Sequence, residues 1–290
     1  MARFVEGVGG ALAWAGGLAW IVAMTPPARR GAVMGRALGT SIAGSLFGPA
    51  IGALASVTGR AALFCALAAL ASLLLVPIAA RPDVKARSGQ PVTDVVRVLR
   101  RPALAGAMWL MLLPAIVSGG FNVLGPLQLH RLGAGAAVIG VTFLVGAGIE
   151  ALISPFAGRL SDRHGRTLPL HGGLIGVGIG LACFTLPSSS LALALLLVLT
   201  MIPLGVFWAP VMALVSDVAE RHGIDQAHAA GLMNLAWAAG QIVGSAGSGA
   251  AAKAFGDAVP TLAITLLCAV TLIGLRSART ARLEDARAPA

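Results

Sequence analysis

Followed for the positions of its charges, the chain alternates between long apolar stretches and short clusters of Lys, Arg, Asp and Glu. Residues 7–28, 37–59, 61–80, 104–129, 167–216 and 226–252 hold none of these four residue types. A helix rising about 1.5 Å per residue crosses a hydrocarbon core with roughly 20 residues, so each stretch is long enough to span a bilayer. The stretch 167–216 has room for two crossings and is broken at Pro187-Ser188-Ser189-Ser190. The runs 132–149, extended past Glu150 to about Pro155, and 258–275 bring the predicted spans to nine. Backbone groups in hydrocarbon need internal partners, and these Ala/Leu/Gly/Val runs lack the strict period-two alternation of a membrane barrel. The expected fold class is therefore all-α, a polytopic bundle of nine transmembrane helices with the lipid bilayer as its surroundings.

Composition agrees, with 57% hydrophobic and only 11% charged residues, too few charges for a water-facing surface. The net charge of +10 would suit a nucleic-acid partner, but its distribution points elsewhere. With the C-terminus inside, 17 of the 21 Lys and Arg residues fall on the inner side, leaving Arg3, Arg60, Arg131 and Lys253 outside. That asymmetry is the positive-inside pattern. It predicts a multi-pass protein of the plasma or inner membrane with a cytoplasmic C-terminus and no nucleic-acid partner. Cys65, Cys183 and Cys268 lie inside spans at unrelated spacings, so neither a disulfide framework nor a metal site is expected. The N-terminus lacks the basic region, short apolar core and cleavage site of a secretory signal.

No enzyme constellation is present: there is no H-E-x-x-H, G-x-S-x-G or Walker loop, and no pair of intramembrane carboxylates. No enzymatic activity and no cofactor are expected. Without a Walker loop, an ion gradient is the remaining energy source for work across a membrane.

Six inner basic residues together with Asp83 and Asp94 fall in residues 81–103, which separate three spans from six. The chain thus divides into 1–80, a linker 81–103, a six-helix part 104–276 and a tail 277–290. Val92, Val95, Val96 and Leu99 recur at helical spacing opposite Asp94, Arg97, Arg100 and Arg101, as in a helix lying on the inner surface; a solvated basic loop is the other reading. Shifting the sequence by 196 residues lays Gly35, Gly44 and Gly48 on Gly231, Gly240 and Gly244, and Gly52 on Ser248. Spans one to three then match spans seven to nine as parallel repeats, and spans four to six have no upstream counterpart. A symmetric parent is expected to carry roughly ninety more residues, three helices, ahead of Met1. In-frame apolar spans in the upstream DNA would show them. Otherwise the bundle is completed by oligomerising or is an inactive remnant.

Gly158-Arg159-Leu160-Ser161-Asp162-Arg163-His164-Gly165-Arg166 joins spans five and six on the inner side. Gly158 and Gly165 permit a tight turn and close helix approach, Asp162 can face a helix N-terminus, and the arginines hold the segment inside. The segment resembles motif A of the major facilitator superfamily, G-x-L-x-D-R-x-G-R. Two weaker patterns agree in order. Arg3-x-x-x-Gly7-x-Gly9 is similar to motif B, with Glu6 where Gln is usual, and Gly44-x-x-x-Gly48-Pro49-x-x-Gly52 is similar to motif C of proton-coupled antiporters. Glycines at every fourth place also serve generic helix packing. The resemblance implies that the nine spans correspond to helices four to twelve of that fold and work by alternating access. It also implies a conformational latch at Gly158, Asp162, Arg163, Gly165 and Arg166.

Glu150 is the one charge well inside a span, eight residues before Gly158, and is the candidate for proton coupling; a structural, hydrogen-bonded carboxyl is the alternative. Asn122, Gln128, Asn234 and Gln241 are polar groups in or near spans, read mainly as helix-packing groups. Asn122 and Trp208 are the candidate cavity residues. The expected function is transmembrane transport of a small organic solute, proton-coupled efflux driven by the proton gradient. A metabolite or sugar symporter is the alternative.

Overall fold

The computed structural model describes residues 2–48, 51, 54, 55, 58–79 and 90–285. Those residues form ten α-helices and no strand: α1 (Ala2–Ala23), α2 (Arg30–Leu46), α3 (Arg60–Ala79), α4 (Val92–Leu99), α5 (Pro102–Arg131), α6 (Ala136–His164), α7 (Thr167–Ala182), α8 (Ser190–Arg221), α9 (Gln226–Phe255) and α10 (Ala258–Asp285). Five segments, Phe4–Ala23 of α1, Ala258–Ser277 of α10 and the whole of α5, α6 and α8, are long and apolar enough to cross a membrane by length and composition. Ala61–Pro77 of α3 and the whole of α7 are shorter apolar helices. The linker run is helical as α4, and Val95 is buried at 4% exposure.

Two element boundaries differ from the sequence expectation. α2 begins at Arg30, well before the charge-free run that opens at residue 37, because its first amides are capped by a side chain from α6. α6 continues as helix to His164, so the segment expected to join spans five and six by a tight turn is mostly helical and turns only at Gly165. The two glycines divide the work. Gly165 adopts φ +83°, a left-handed conformation that L side chains rarely take, whereas Gly158 lies in the helix and permits a close contact.

Glycines allow several close helix approaches. A Cβ on Gly240 would sit 2.6 Å from the carbonyl oxygen of Leu112, and one on Gly244 would overlap that of Ile116, so α9 meets α5 backbone to backbone. Gly173 and Gly176 likewise receive Phe207 and Pro203 of α8. In lipid no water is released when helices meet, so small residues that let backbones approach supply much of the attraction through close packing. Large apolar side chains such as Leu152, Phe156, Leu195, Leu199 and Leu266 point outward, as expected of a lipid-facing surface.

Candidate functional site

The helix α2 starts without help from its own sequence. Its N-cap residue, Arg29, makes no side-chain cap, which leaves the N–H groups of the first turn in need of acceptors. Asp162, about 130 residues later and near the end of α6, supplies them. The Gly31 N–H donates to Oδ1 at 2.9 Å and the Ala32 N–H donates to Oδ2 at 2.7 Å. A carboxylate there also meets the positive end of the α2 dipole.

The approach depends on two glycines without side chains. A Cβ on Gly31 would lie 2.7 Å from both Asp162 Oδ1 and Arg166 Nη1, and a Cβ on Gly158 would overlap the Gly31 carbonyl oxygen. The seam continues along α2. Gly35 lies on the Ser154 carbonyl and Gly39 on that of Ala151, with 2.6 Å left for a Cβ. Gly31, Gly35 and Gly39 thus form one stripe of α2 pressed on α6.

Arg166 sits where three segments meet. Its Nη1 donates to Asp162 Oδ1 and to Ser161 Oγ at 3.1 Å, its Nη2 to Asp217 Oδ2 at 3.2 Å and to the Pro27 carbonyl at 3.3 Å. Arg30 crosses to the same helix from the other side. Its Nη1 donates to Asp217 Oδ1 at 3.3 Å and to Glu220 Oε2. The Arg30 side chain is only 5% exposed. Burial alone would lower its pKa, but the hydrogen bonds and charges of Glu220 and Asp217 outweigh it and push the pKa above the usual arginine value. The guanidinium stays charged. Two arginines and three carboxylates therefore tie the start of α2, the end of α6 and the end of α8 together. Beside them is a cavity of about 430 Å³ lined by Ala23, Arg30, Glu220, Ile224, Asp225 and Gln226.

At the opposite end of the helices Arg131 of α5 pairs with Asp257, which lies between α9 and α10. Between the ends, Glu150 faces α8. A Cβ on Gly205 would be 3.1 Å from Glu150 Cγ, and the Trp208 indole, one turn further along α8, lies near the Glu150 carboxyl. The Trp109 indole N–H donates to Thr271 Oγ1 at 2.8 Å, joining α5 to α10.

The sequence-predicted residues therefore fall into separate places. Gly158, Asp162 and Arg166 meet in the charged cluster, Gly165 forms the turn behind it, and Arg163 is exposed beside it. Glu150 and Trp208 are together, but Asn122 is exposed on α5 and is not brought to them. Gly44 and Gly48 meet nothing within 4 Å among the described residues, and Pro49 and Gly52 lie outside those residues. Gly7 is likewise open, and the side chain of Arg3 is outside the description. Sequence reasoning did not single out Arg30, Asp217, Glu220 or the Gly31–Gly35–Gly39 stripe. The four-residue glycine spacing of the stripe was its one local signal.

A chain of many apolar helices packed through glycine, with charges gathered at the helix ends, is a polytopic membrane protein. The family model of the Major Facilitator Superfamily matches residues 1–149 and 115–288, and the chain belongs to that superfamily of secondary transporters. Comparison with curated proteins gave no match.

Proposed function

We propose that the protein exports a small organic solute in exchange for protons by alternating access, its nine apolar helices corresponding to helices four to twelve of the superfamily fold. The cluster of Arg30, Asp162, Arg166, Asp217 and Glu220 is its conformational latch, on the cytoplasmic side with the C-terminus. One observation carries this reading. The cluster joins α2, which precedes the linker, to α6 and α8, which follow it. The described ion pair at the other end, Arg131 with Asp257, joins only elements that follow the linker. Opening the cluster's end therefore costs the Asp162 cap and the arginine bridges, whereas opening the far end breaks no described ion pair across the linker. The motif C resemblance of Gly44, Gly48, Pro49 and Gly52 supports the antiporter branch.

Asp162→Asn tests the latch. Asparagine keeps one acceptor but loses the second oxygen's bond and the charge that faces the α2 dipole and Arg166, together about 1–2 kcal/mol, so the population open at this end is expected to rise roughly 5–30-fold. A thiol placed at exposed position 163 reads orientation and is expected to react from the cytoplasmic side. Hydrogen exchange of the Gly31 and Ala32 amides reads opening and is expected to be faster in Asp162→Asn, while solute transport slows and expression holds. Labelling from outside would reverse the orientation. Undiminished transport by a normally expressed Asp162→Asn protein would remove the latch.

Glu150 is the proposed proton carrier. It lies on the helix that runs eight residues later into the Gly158 contact, so a proton taken up or released against Trp208 is placed to bias the latch. Glu150→Gln keeps a hydrogen-bonding group toward Trp208 and removes the titrating one. It is expected to fold normally and to lose pH-gradient-driven uptake into inverted membrane vesicles. Retained gradient-dependent uptake would assign Glu150 a structural hydrogen bond instead.

A further inference from the structure

Gln90, just ahead of α4, uses both ends of its side-chain amide on a single turn. Its Nε2 donates to the Gly223 carbonyl at 3.0 Å, and its Oε1 accepts the Asp225 N–H at 3.0 Å. The turn joins α8 to α9 and contains Gly223 at φ +74° and the buried Ile224. It begins two residues after Glu220, and Ile224, Asp225 and Gln226 line the 430 Å³ cavity together with Arg30 and Glu220. Behind Gln90 the linker is anchored a second time, because Val95 of α4 is buried.

We propose that Gln90 is a positioning residue through which the linker clamps the α8–α9 turn, holding Asp217 and Glu220 in register for Arg30 and Arg166; this rests on the latch reading above. The physical reason lies in the end of α8. Helix ends fray at low free-energy cost and leave backbone groups without intrahelical partners. Asp217 and Glu220 sit in the last two turns, so their grip on the arginines depends on what restrains that end. Of the backbone groups beyond it, the Gly223 carbonyl needs a donor and the Asp225 N–H needs an acceptor. A primary amide offers one of each at a fixed separation, whereas a carboxylate has no donor and an ammonium has no acceptor. Gln90 therefore fits this turn by chemistry as well as by place. The clamp makes the linker a mechanical part of closure at this end. A pull on the linker loosens the acids that hold α2.

Residue-resolved hydrogen exchange on the 290-residue chain in lipid nanodiscs tests the inference without a known solute. Gln90→Leu keeps the side chain's bulk and removes both hydrogen bonds. It is expected to speed exchange of the Asp225 amide roughly five- to thirtyfold, the worth of one to two net hydrogen bonds, and to speed that of the Gly31 and Ala32 amides severalfold as the cluster loosens. Gln90→Glu retains the acceptor and loses the donor, and is expected to fall between. Unchanged Asp225 exchange in Gln90→Leu would overturn the clamp. Faster exchange at Asp225 with Gly31 and Ala32 unchanged would overturn the positioning role. Faster exchange at all three sites, beside undiminished transport by Asp162→Asn, would support the clamp while removing the latch reading.

Discussion

Replacing Gly158 by alanine is expected to destabilise the protein more than any other single-methyl change on α6. The added Cβ would overlap the carbonyl oxygen of Gly31 and press on the carbonyl carbon behind it. These are backbone atoms of a neighbouring helix, so no side-chain rotation relieves the overlap and the helices must part. Overpacking of this kind costs about 1–3 kcal/mol. Little offsets it in lipid, where association rests on close packing and on the interhelical hydrogen bonds that parting would lengthen. Those bonds include the Asp162 cap on Gly31 and Ala32. Gly158→Ala is therefore expected both to lower the thermal unfolding midpoint in detergent and to speed exchange of the Gly31 amide. Gly148→Ala is the control on the same helix, because a Cβ there meets nothing within 4 Å. It is expected to be neutral or to gain up to about 1 kcal/mol of helix propensity. Equal loss from both variants would show that the seam between α2 and α6 does not depend on the close approach at Gly158.

That contrast also shows which parts of the molecule can be read from the chain. Helix placement was legible because a charge-free run of bilayer length admits few other structures, and α5, α7, α8 and α9 start within two residues of the runs that predicted them. The segment from Gly158 to Arg166 was legible as a unit because Asp, two glycines and arginines stand at fixed offsets, which a loop that is merely basic does not require. Its partners were not. The Asp162 carboxylate acts on amides about 130 residues away, and nothing near Arg29 signals that the α2 cap comes from another helix. Charge counting set Arg30 among the inner basic residues and said nothing of its burial, because side-chain exposure there depends on α8, which lies close only in the fold. The glycine pattern at Gly44 and Gly48 drew attention through its spacing, but contact with α6 is made one stretch earlier, at Gly31, Gly35 and Gly39. Spacing of four identifies a face able to pack, and the neighbour decides which turns of that face are used. Gln90 carried no sequence signal, since its role is defined by two backbone groups of a turn more than 130 residues away.

Arg30→Met is expected to have the largest effect of any charge removal in the protein. The methionine fills much of the apolar stem's space, so the change isolates the guanidinium. Its loss leaves Glu220 without its described partner and leaves Asp217 with Arg166 alone, so the carboxylates of the cluster outnumber the remaining cation three to one. Breaking a buried ion pair by removing one member costs about 3–5 kcal/mol, because the remaining charge stays away from water. Here the lower end applies: Glu220 is 52% exposed and can be solvated, whereas Asp217 is 19% exposed and cannot turn out so freely. Arg30→Lys restores the charge, and because the single Nη1 reaches both carboxylates, an ammonium with three donors is expected to recover much of the loss. Thermal unfolding of Arg30→Met, Glu220→Gln and the double variant closes a cycle. The double variant should be more stable than the sum of the single changes predicts, since removing the second member relieves the stranded charge. Exchange of the Gly31 and Ala32 amides should at the same time become faster in Arg30→Met, because Arg30 no longer ties the start of α2 to α8. Native-like stability with unchanged exchange of the Gly31 and Ala32 amides would show that Arg30 is a buried passenger at this end and that the Asp162 cap closes it without Arg30.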